Sequence, residues 1–212
     1  DNGIKVYWQH GGQLVPPHDV NVIAKVAGSQ KINKIDFETA EKSGMIIMLD
    51  KKIDDAYQDT VGHLSLGNYR SAKIVFTPLH GCASTSFLPV LKKVGFENIY
   101  EVVEQMSLDP DFSNIDKNIP NPEVPIAMRL ATEYAKNNQA DLALAADPDA
   151  DRIGVVSRKS QSSDEYVFLN GNQIGVLLLD YITRSLKAKG ELDGGKVIKT
   201  VVTTDLIAKI AE

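Results

Sequence analysis

The sequence predicts an α/β protein built from βαβ units, with mixed sheets that are mainly parallel. Between residues 73 and 146, short apolar runs typical of strands alternate with longer segments typical of helices, which indicates a parallel sheet with crossover helices. Segment 125–137 repeats apolar side chains every fourth residue beside a row of alanines, so one helix face is apolar and can pack closely on a sheet. The apolar run 141–146 then ends in a cluster of acids, at the point where open α/β sheets place their ligands.

The chain up to residue 68 is typical of the remainder of another α/β domain. We expect it to hold, in order, a strand at 4–8, a turn at Pro16-Pro17, a strand at 45–49 and a helix at 54–64. The apolar run at 45–49 is far shorter than the roughly 20 residues of a membrane span, and we therefore predict a core strand there.

Residues 69–165 are predicted to form the central domain. Its expected elements are a strand at 73–77, a helix at 85–94 closed by Gly95, a strand at 99–103, a helix at 125–137 and a strand at 141–146. The helix at 125–137 should dock on the sheet through its apolar face.

Residues 166–212 are predicted to begin a third domain. The polar run 157–164, just before it, is typical of a hairpin loop or a linker. Beyond it we expect a helix at 173–187, a turn at Gly194-Gly195, a strand at 197–203 and a short final helix capped by Thr204 or Asp205.

The composition describes an ordinary soluble globular protein of 212 residues, with 43% apolar and 24% charged residues. The net charge of −5 and the lack of a Lys/Arg stripe argue against a nucleic-acid partner, and no run is long enough for a membrane span. Cys82 is the only cysteine, so we expect no disulfide within the chain, a reducing cytoplasm as its setting, and a buried thiol.

Three carboxylates, Asp147, Asp149 and Asp151, follow the apolar run at every second residue. In a regular strand such side chains stand roughly 6.6 Å apart, whereas ligands of one Mg²⁺, each at about 2.1 Å, lie within roughly 4.2 Å of one another. The segment must therefore curl into a loop to bind an ion. Pro148 fixes one φ angle and Ala150 adds little bulk, which suits such a curl.

The acidic run allows interpretations other than a magnesium site. A solvated turn remains open. An EF-hand calcium loop needs Gly at its sixth and Glu at its twelfth position, where this chain has Arg152 and Arg158. A phosphatase of the haloacid dehalogenase type resembles Asp-x-Asp-x-Thr or Val, whereas the fifth position here is Asp151. Arg152 is either a plain counter-ion or a fork that pairs with two phosphate oxygens.

The run from Asp147 to Arg152 is similar to the metal-binding loop of the α-D-phosphohexomutases, the phosphoglucomutase and phosphomannomutase superfamily. Further segments resemble the same family, in the same order, over nearly the whole chain. Segments 2–8 and 12–19 resemble the stretch just after the family's catalytic serine motif, and segment 77–81 resembles the opening of its second domain. Segments 109–112 and 120–123 match before the metal loop, and segment 169–174 matches after it. Several motifs in one order are far more specific than the acidic run by itself.

The resemblance implies phosphoglucomutase-type domains, with 1–68 ending the first, 69–165 forming the second and 166–212 beginning the third. It implies an intramolecular phosphotransferase, an isomerase of carbohydrate metabolism. Such an enzyme interconverts hexose 1-phosphate and hexose 6-phosphate, of glucose or mannose, through a phosphoserine and a hexose bisphosphate. The family's Thr-x-Ser-His-Asn-Pro motif, which holds the nucleophilic serine, is absent from the sequence. We therefore expect a fragment of a cytoplasmic mutase that is inactive by itself.

The resemblance also implies roles for individual side chains. The implied cofactor is Mg²⁺, with Asp147, Asp149 and Asp151 as its ligands. Lys5 is the implied acid or base near the phosphoserine, and Arg152 is implied in catalysis and in binding phosphate or sugar oxygens.

His80 and the small residues after it allow two interpretations. Free backbone amides in 81–86 would let this segment bind an anion of the substrate, and ordinary capping of the next helix by Ser84 or Thr85 explains the same residues. For the chain as a whole, two rival functions stay open: a haloacid dehalogenase-like phosphotransferase and a non-catalytic metal-binding scaffold.

Overall fold

The structure is a computed structural model that describes residues 4–212. It divides into two compact units, Asp1–Lys52 and Ile53–Glu212. The first residues of the matched segment 2–8 lie outside the described part of the chain. The domain boundaries expected near residues 68 and 165 stay predictions.

The first unit is mainly helix and loop. Its helices are α1 His18–Ala27 and α2 Phe37–Lys42, neither of which was predicted. α2 begins where the Asp36 side chain accepts a hydrogen bond from the Thr39 amide, which satisfies one free donor of the first turn. The turn predicted at Pro16-Pro17 is confirmed, whereas the strand predicted at 4–8 is reduced to one antiparallel bridge from Tyr7 to Gln13.

The core strand predicted at 45–49 is wrong. These residues form no strand, and the side chains of Met45, Ile47 and Leu49 are 74%, 78% and 73% exposed. A strand needs a neighbour for its backbone hydrogen bonds, and residues 4–52 contain no strand of a sheet. The apolar run therefore has nothing to pair with in its own unit.

The second unit is built on one five-stranded sheet. Its strands are β1 Ile74–Thr77, β2 Ile99–Glu101, β3 Leu142–Ala146, β4 Ile153–Arg158 and β5 Tyr166–Leu169, in the spatial order β2-β1-β3-β4-β5. β1 is parallel to β2 and β3, whereas β3 with β4 and β4 with β5 are antiparallel. The predicted mixed α/β sheet is confirmed, and the connections from β1 to β2 and from β2 to β3 both contain helices. The hairpin predicted at 157–164 joins β4 to β5.

The helices from the unit boundary onward are α3 Lys51–Gly62, α4 Ser84–Lys93, α5 Arg129–Asn137, α6 Gly171–Lys189 and α7 Leu206–Ala211. They confirm the helices predicted at 54–64, 85–94, 125–137 and 173–187, with shifted ends. Gly95, which follows α4, has a left-handed φ of 99°, as suits a residue that closes a helix. α6 begins early because Asn170 and Gln173 form a capping box.

Small side chains on α5 allow the helix to pack closely on the sheet. Ala131 and Ala135 are fully buried against Val75 and Ala143, which are fully buried themselves. The docking predicted for this helix is thus confirmed. On the other face of the sheet, Phe76 of β1 stacks on a phenylalanine of α4 at 4.4 Å between ring centroids. β1 is therefore covered on both faces, as is usual for a parallel strand.

The strand predicted at 197–203 is also wrong. Ile198, Val201 and Val202 are 93%, 98% and 84% exposed and form no strand, because the described residues place no strand edge beside them. The final helix α7 forms as predicted. Asp205 gives it no side-chain cap, whereas the Thr204 hydroxyl accepts a hydrogen bond from the Leu206 amide at 3.3 Å. Among the described residues, no helix is long and apolar enough to cross a membrane.

Candidate metal centre

The connection from β3 to β4, residues 147–152, is the acidic loop. The two strands pair over five residues up to Ala146 and Ile153, so the two ends of the loop are held side by side. Ala150 has a left-handed φ of 60°, and its amide donates to the Asp147 carbonyl at 3.0 Å. The chain therefore curls as predicted, and one oxygen from each aspartate lies within 4.8 Å of the other two.

Asp147 is the buried member of the cluster, since its side chain is 0% exposed. Its carboxylate accepts hydrogen bonds from the Arg152 amide at 3.0 Å and from Arg152 Nε at 2.8 Å. Burial by itself would raise the pKa of Asp147, but these two hydrogen bonds hold the pKa below its ordinary value. Asp147 is therefore a carboxylate, ready to act as a metal ligand, at neutral pH.

Arg152 is the cation nearest to the cluster. Its Nε also lies 3.5 Å from Asp151 Oδ1, and its terminal nitrogen lies 4.0 Å from Glu123. The hydrogen bond to Asp147 raises the pKa of Arg152 above its ordinary value. The side chain is 43% exposed, so the guanidinium group offsets part of the negative charge of the cluster while part of the group still faces solvent.

The donor set suits a hard divalent cation. All three candidate ligands are carboxylate oxygens, and Mg²⁺ and Ca²⁺ prefer oxygen ligands to softer nitrogen or sulfur ligands. Their mutual separation of at most 4.8 Å is close to the span of ligands around one such ion. The residues therefore fit a divalent metal, and their assignment as ligands stays a prediction.

A second loop, residues 78–82, lies beside the acidic loop. It follows β1, whose last residue Thr77 pairs with Ala145 of β3, so both loops leave the same edge of the sheet. The Thr77 hydroxyl donates to Gln105 Oε1 at 2.8 Å and accepts from the Leu79 amide at 3.0 Å. Sequence reasoning missed Gln105, because a single glutamine after a strand gives no signal of burial.

His80 is anchored inside this second loop. Its amide donates to the Gln105 carbonyl at 3.0 Å, and its Nδ1 lies 2.8 Å from the Ser107 carbonyl. A carbonyl only accepts, so Nδ1 carries the proton and Nε2 has a free lone pair. That Nε2 is buried and has no hydrogen-bond partner among residues 4–212. An unpaired buried polar atom is costly, so His80 is a candidate contact for a ligand or a water.

The two loops are joined by direct backbone contact. The Cys82 amide donates to the Pro148 carbonyl at 3.0 Å, and Gly81 packs on the Pro148 backbone. Cys82 itself is exposed, so the expectation of a buried thiol is wrong. The residue serves the site through its amide, and the side chain is free to face solvent.

The helix that follows begins without a side-chain cap. The N-cap of α4 is Ala83, and the Thr85 hydroxyl donates to the Cys82 carbonyl at 2.9 Å. Capping by Ser84 or Thr85 is therefore wrong. Serine and threonine hydroxyls also donate to nearby carbonyls, and Thr85 does so here.

A cavity of about 580 Å³ opens beside the acidic loop. Asp149, Asp151 and Arg152 form its polar side. Its apolar side comes from α3, α4 and the start of β4, through Tyr57, Val61, Phe87, Val90, Leu91 and Ile153. The volume is within the range of small-molecule sites. The arrangement thus places the acids next to a space that a ligand can enter.

Lys5, the remaining predicted site residue, belongs to the first unit. Its side chain is exposed. The structure thus brings the three aspartates, Arg152 and the loop of His80 together in the second unit, and leaves the role of Lys5 a prediction.

Comparison with known proteins gives the family. A family profile described as phosphoglucomutase/phosphomannomutase, alpha/beta/alpha domain II, matches residues 55–160. A phosphomannomutase of Mycoplasma pneumoniae is 35% identical over 217 residues, which cover 100% of this chain and 38% of that protein. A phosphoglucomutase of Staphylococcus saprophyticus is 30% identical over 215 residues, covering 99% of this chain and 38% of that protein. The chain therefore spans a little over a third of the length of these curated relatives.

Solved structures support the fold. A phosphoglucomutase/phosphomannomutase family protein of Burkholderia thailandensis superposes with a TM-score of 0.51 at 21% identity, covering 65% of this chain and 26% of that one. A structure from Thermus thermophilus gives a TM-score of 0.55 at 24% identity, covering 76% of this chain and 33% of that one. With the profile matching residues 55–160, the chain belongs to the phosphoglucomutase/phosphomannomutase family.

Proposed function

We propose that the whole protein is a Mg²⁺-dependent phosphohexomutase that interconverts hexose 1-phosphate and hexose 6-phosphate, of glucose or mannose. The reaction would pass through a phosphoserine and a hexose bisphosphate. The observation that carries the proposal is the convergence of three aspartate oxygens within 4.8 Å at a sheet edge, inside the segment that matches the family's second domain.

Asp147, Asp149 and Asp151 would hold the metal. When bound, Mg²⁺ supplies a Lewis acid that withdraws charge from phosphoryl oxygens. Asp147 is fixed by the Arg152 amide at 3.0 Å, whereas the other two carboxylates are exposed. We infer that Asp147 orients the site and that the exposed pair closes on the ion.

Arg152 would bind the phosphate of the substrate. Its guanidinium group is 43% exposed and donates one N–H to Asp147. Once a cation neutralises that carboxylate, the fork is available to two phosphate oxygens, the geometry that arginine favours. Arg152 would thus bind first the Asp147 carboxylate and then the substrate phosphate.

Two further residues, His80 and Lys5, are assigned roles in the whole protein. With Nδ1 bound to the Ser107 carbonyl, His80 offers Nε2 as an acceptor, which suits a sugar hydroxyl. Lys5 would transfer protons to and from the sugar hydroxyl, as the family resemblance implies. The nucleophilic serine is assigned to no residue of this chain, so we propose that the 212 residues by themselves are inactive.

No observation favours the haloacid dehalogenase alternative, because the matching family is a different one. The scaffold alternative describes the isolated chain, and the mutase proposal describes the whole protein. The two are therefore compatible.

The metal site is tested by calorimetric titration of Mg²⁺ into this chain and an Asp149→Asn variant. We expect binding to the unchanged chain and at least a roughly tenfold loss in the variant, because one of three anionic ligands becomes neutral. Asp193→Asn is the matched control, since Asp193 is exposed and outside the cluster. Equal binding in all three proteins would overturn the assignment.

The activity is tested on the full-length protein. Glucose 1-phosphate and mannose 1-phosphate would be followed by phosphorus NMR with a trace of hexose bisphosphate. We expect conversion to the 6-phosphates and an acid-stable phosphoserine on the enzyme. A hydroxylamine-sensitive aspartyl phosphate on Asp147 would contradict the proposal.

A further inference from the structure

We propose that Gly81 permits the acidic loop to close onto an ion as small as Mg²⁺, so that filling this position shifts the ion preference of the loop toward the larger Ca²⁺. The inference rests on the proposed function, because it takes the three aspartates as the ligands. Gly81 is a positioning residue here, since it touches the loop that bears the ligands. Its φ is not positive, so the position does not require glycine for backbone conformation. What requires glycine is the lack of space.

Gly81 leaves no room for a side chain. A Cβ at this position would lie 2.2 Å from the Cα, 2.5 Å from the carbonyl oxygen and 2.7 Å from the carbonyl carbon of Pro148. All three are backbone atoms of the acidic loop, so no side-chain rotation can relieve the overlap. The same Pro148 carbonyl accepts the hydrogen bond of the Cys82 amide at 3.0 Å. Gly81 thus allows the two backbones to touch.

The acidic loop is the side of this contact that would yield. The loop of Gly81 is fixed by the His80 amide and ring, which bond to the Gln105 and Ser107 carbonyls at 3.0 and 2.8 Å. Gln105 is only 1% exposed. On the other side, the side chain of Asp151 is 63% exposed. A methyl group at Gly81 would therefore push the tip of the acidic loop outward.

The outward shift has a direct effect on ion size. Ordinary van der Waals contact begins near 3.4 Å, so relief of a contact at 2.2 Å moves Pro148 by about 1 Å. Oxygens around one Mg²⁺ lie at most about 4.2 Å apart, whereas those around Ca²⁺ span up to about 5.2 Å. The three oxygens now lie within 4.8 Å. Mg²⁺ therefore needs the loop to close slightly, and Ca²⁺ does not.

The test compares the dissociation constants for Mg²⁺ and for Ca²⁺ in the 212-residue chain and in Gly81→Ala. We expect the ratio Kd(Mg)/Kd(Ca) to rise by at least about fivefold in the variant, because the displaced loop cannot tighten on the smaller ion. The ratio is the informative quantity. If a variant is partly unfolded, both apparent affinities fall by the same factor, which cancels.

Two controls separate positioning from stability. Gly171→Ala is a glycine replacement with no atom within 4 Å of the new Cβ. Val156→Ala removes buried contacts in β4 and lowers stability without touching Pro148. We expect the ratio to stay at the unchanged chain's value in both. If Gly81→Ala does not fold, Pro148→Gly is the second variant. Removing the fixed φ loosens the curl of the same loop, and a loop that is no longer held tightly curled should also lose more affinity for Mg²⁺ than for Ca²⁺.

The outcomes distinguish this inference from the proposed function. If the unchanged chain binds Mg²⁺ and both loop variants leave the ratio within about twofold, Gly81 does not set selectivity and only this inference fails. If the unchanged chain binds neither ion, the metal site fails and the inference fails with it. If Gly81→Ala changes the ratio Kd(Mg)/Kd(Ca) by no more than Val156→Ala does, the inference is also overturned.

Discussion

Arg152 supplies a positive charge to the acidic loop from within the loop itself. Its Nε binds Asp147 at 2.8 Å and lies 3.5 Å from Asp151. This ion pair spares Asp147 the cost of burying a lone charge. The same charge would repel a metal ion entering the cluster, so the residue stabilises the loop and would oppose metal binding.

We therefore predict that Arg152→Gln binds Mg²⁺ about three- to tenfold more tightly than the unchanged chain, because a nearby positive charge is removed. The amide of residue 152, which fixes Asp147 at 3.0 Å, is unaffected by the substitution. Calorimetry at low and high salt measures the effect, which should shrink as salt screens the charge. Arg184→Gln, on exposed α6, is the control for net charge. Weaker binding in Arg152→Gln would show that the guanidinium group is needed to hold the ligands.

At the scale of elements, α5 is tied to the loop before it by an ion pair. The Arg129 guanidinium, at the first residue of α5, donates to both carboxylate oxygens of Asp116 at 2.5 and 3.0 Å. These hydrogen bonds hold the pKa of Asp116 below its ordinary value. The pair is partly exposed, so its contribution is screened by solvent.

The sign of the pH dependence follows from the direction of that shift. A carboxyl whose folded pKa is lowered adds stability above its unfolded pKa and loses it as the pH falls through the folded pKa. We predict that Arg129→Gln lowers the free energy of unfolding at about pH 7 and has a smaller effect near pH 2, as measured by urea unfolding. Asp116→Asn should reproduce only part of the loss at neutral pH, because Arg129 also donates to Glu133 at 2.8 Å. Adding Asp116→Asn to Arg129→Gln should then change the stability little further. A loss that is equal at both pH values would contradict the ion pair as its cause.

The secondary-structure elements differ in how well the sequence predicted them. The strands and helices between 73 and 146 were predictable, because apolar periodicity reflects burial of β1 and close packing of α5 through Ala131 and Ala135. The curl of the acidic loop followed from ligand spacing. The segments 45–49 and 197–203 were not predictable, because a strand depends on a partner that local composition does not reveal. The Gln105 anchor was missed for the same reason: its partners are distant in sequence.

At the scale of the whole molecule, the described surface carries apolar segments that the folded chain leaves uncovered. The side chains of Ile198, Val201 and Val202 are almost fully exposed, and those of Met45, Ile47 and Leu49 are about three-quarters exposed. Such surface is unusual for a monomeric protein in water. The chain spans about 38% of the length of its curated phosphomannomutase relative, and these two segments each expose several consecutive or alternate apolar side chains.

We predict that the folded chain binds a hydrophobic dye and self-associates as its concentration rises. Val201→Thr combined with Ile198→Thr should reduce both effects and leave the unfolding free energy within about 0.5 kcal/mol, because fully exposed side chains contribute no burial. Dye fluorescence and sedimentation velocity measure the association. Val156→Thr, at a buried site, should instead lower stability. Unchanged association in the exposed double variant would assign the effect to another surface.

The hairpin that carries the acidic loop keeps the loss of chain entropy small when the carboxylates come together. The three carboxylates lie within five residues of one another, and their loop is closed by strands that pair directly up to Ala146 and Ile153. Closing so short a loop restricts few backbone torsions, and distant segments need not meet for the carboxylates to converge. A metal site of this kind would need only the residues of one hairpin. A cation bound by these carboxylates would act first on this one hairpin, and the rest of the sheet depends on its own apolar packing.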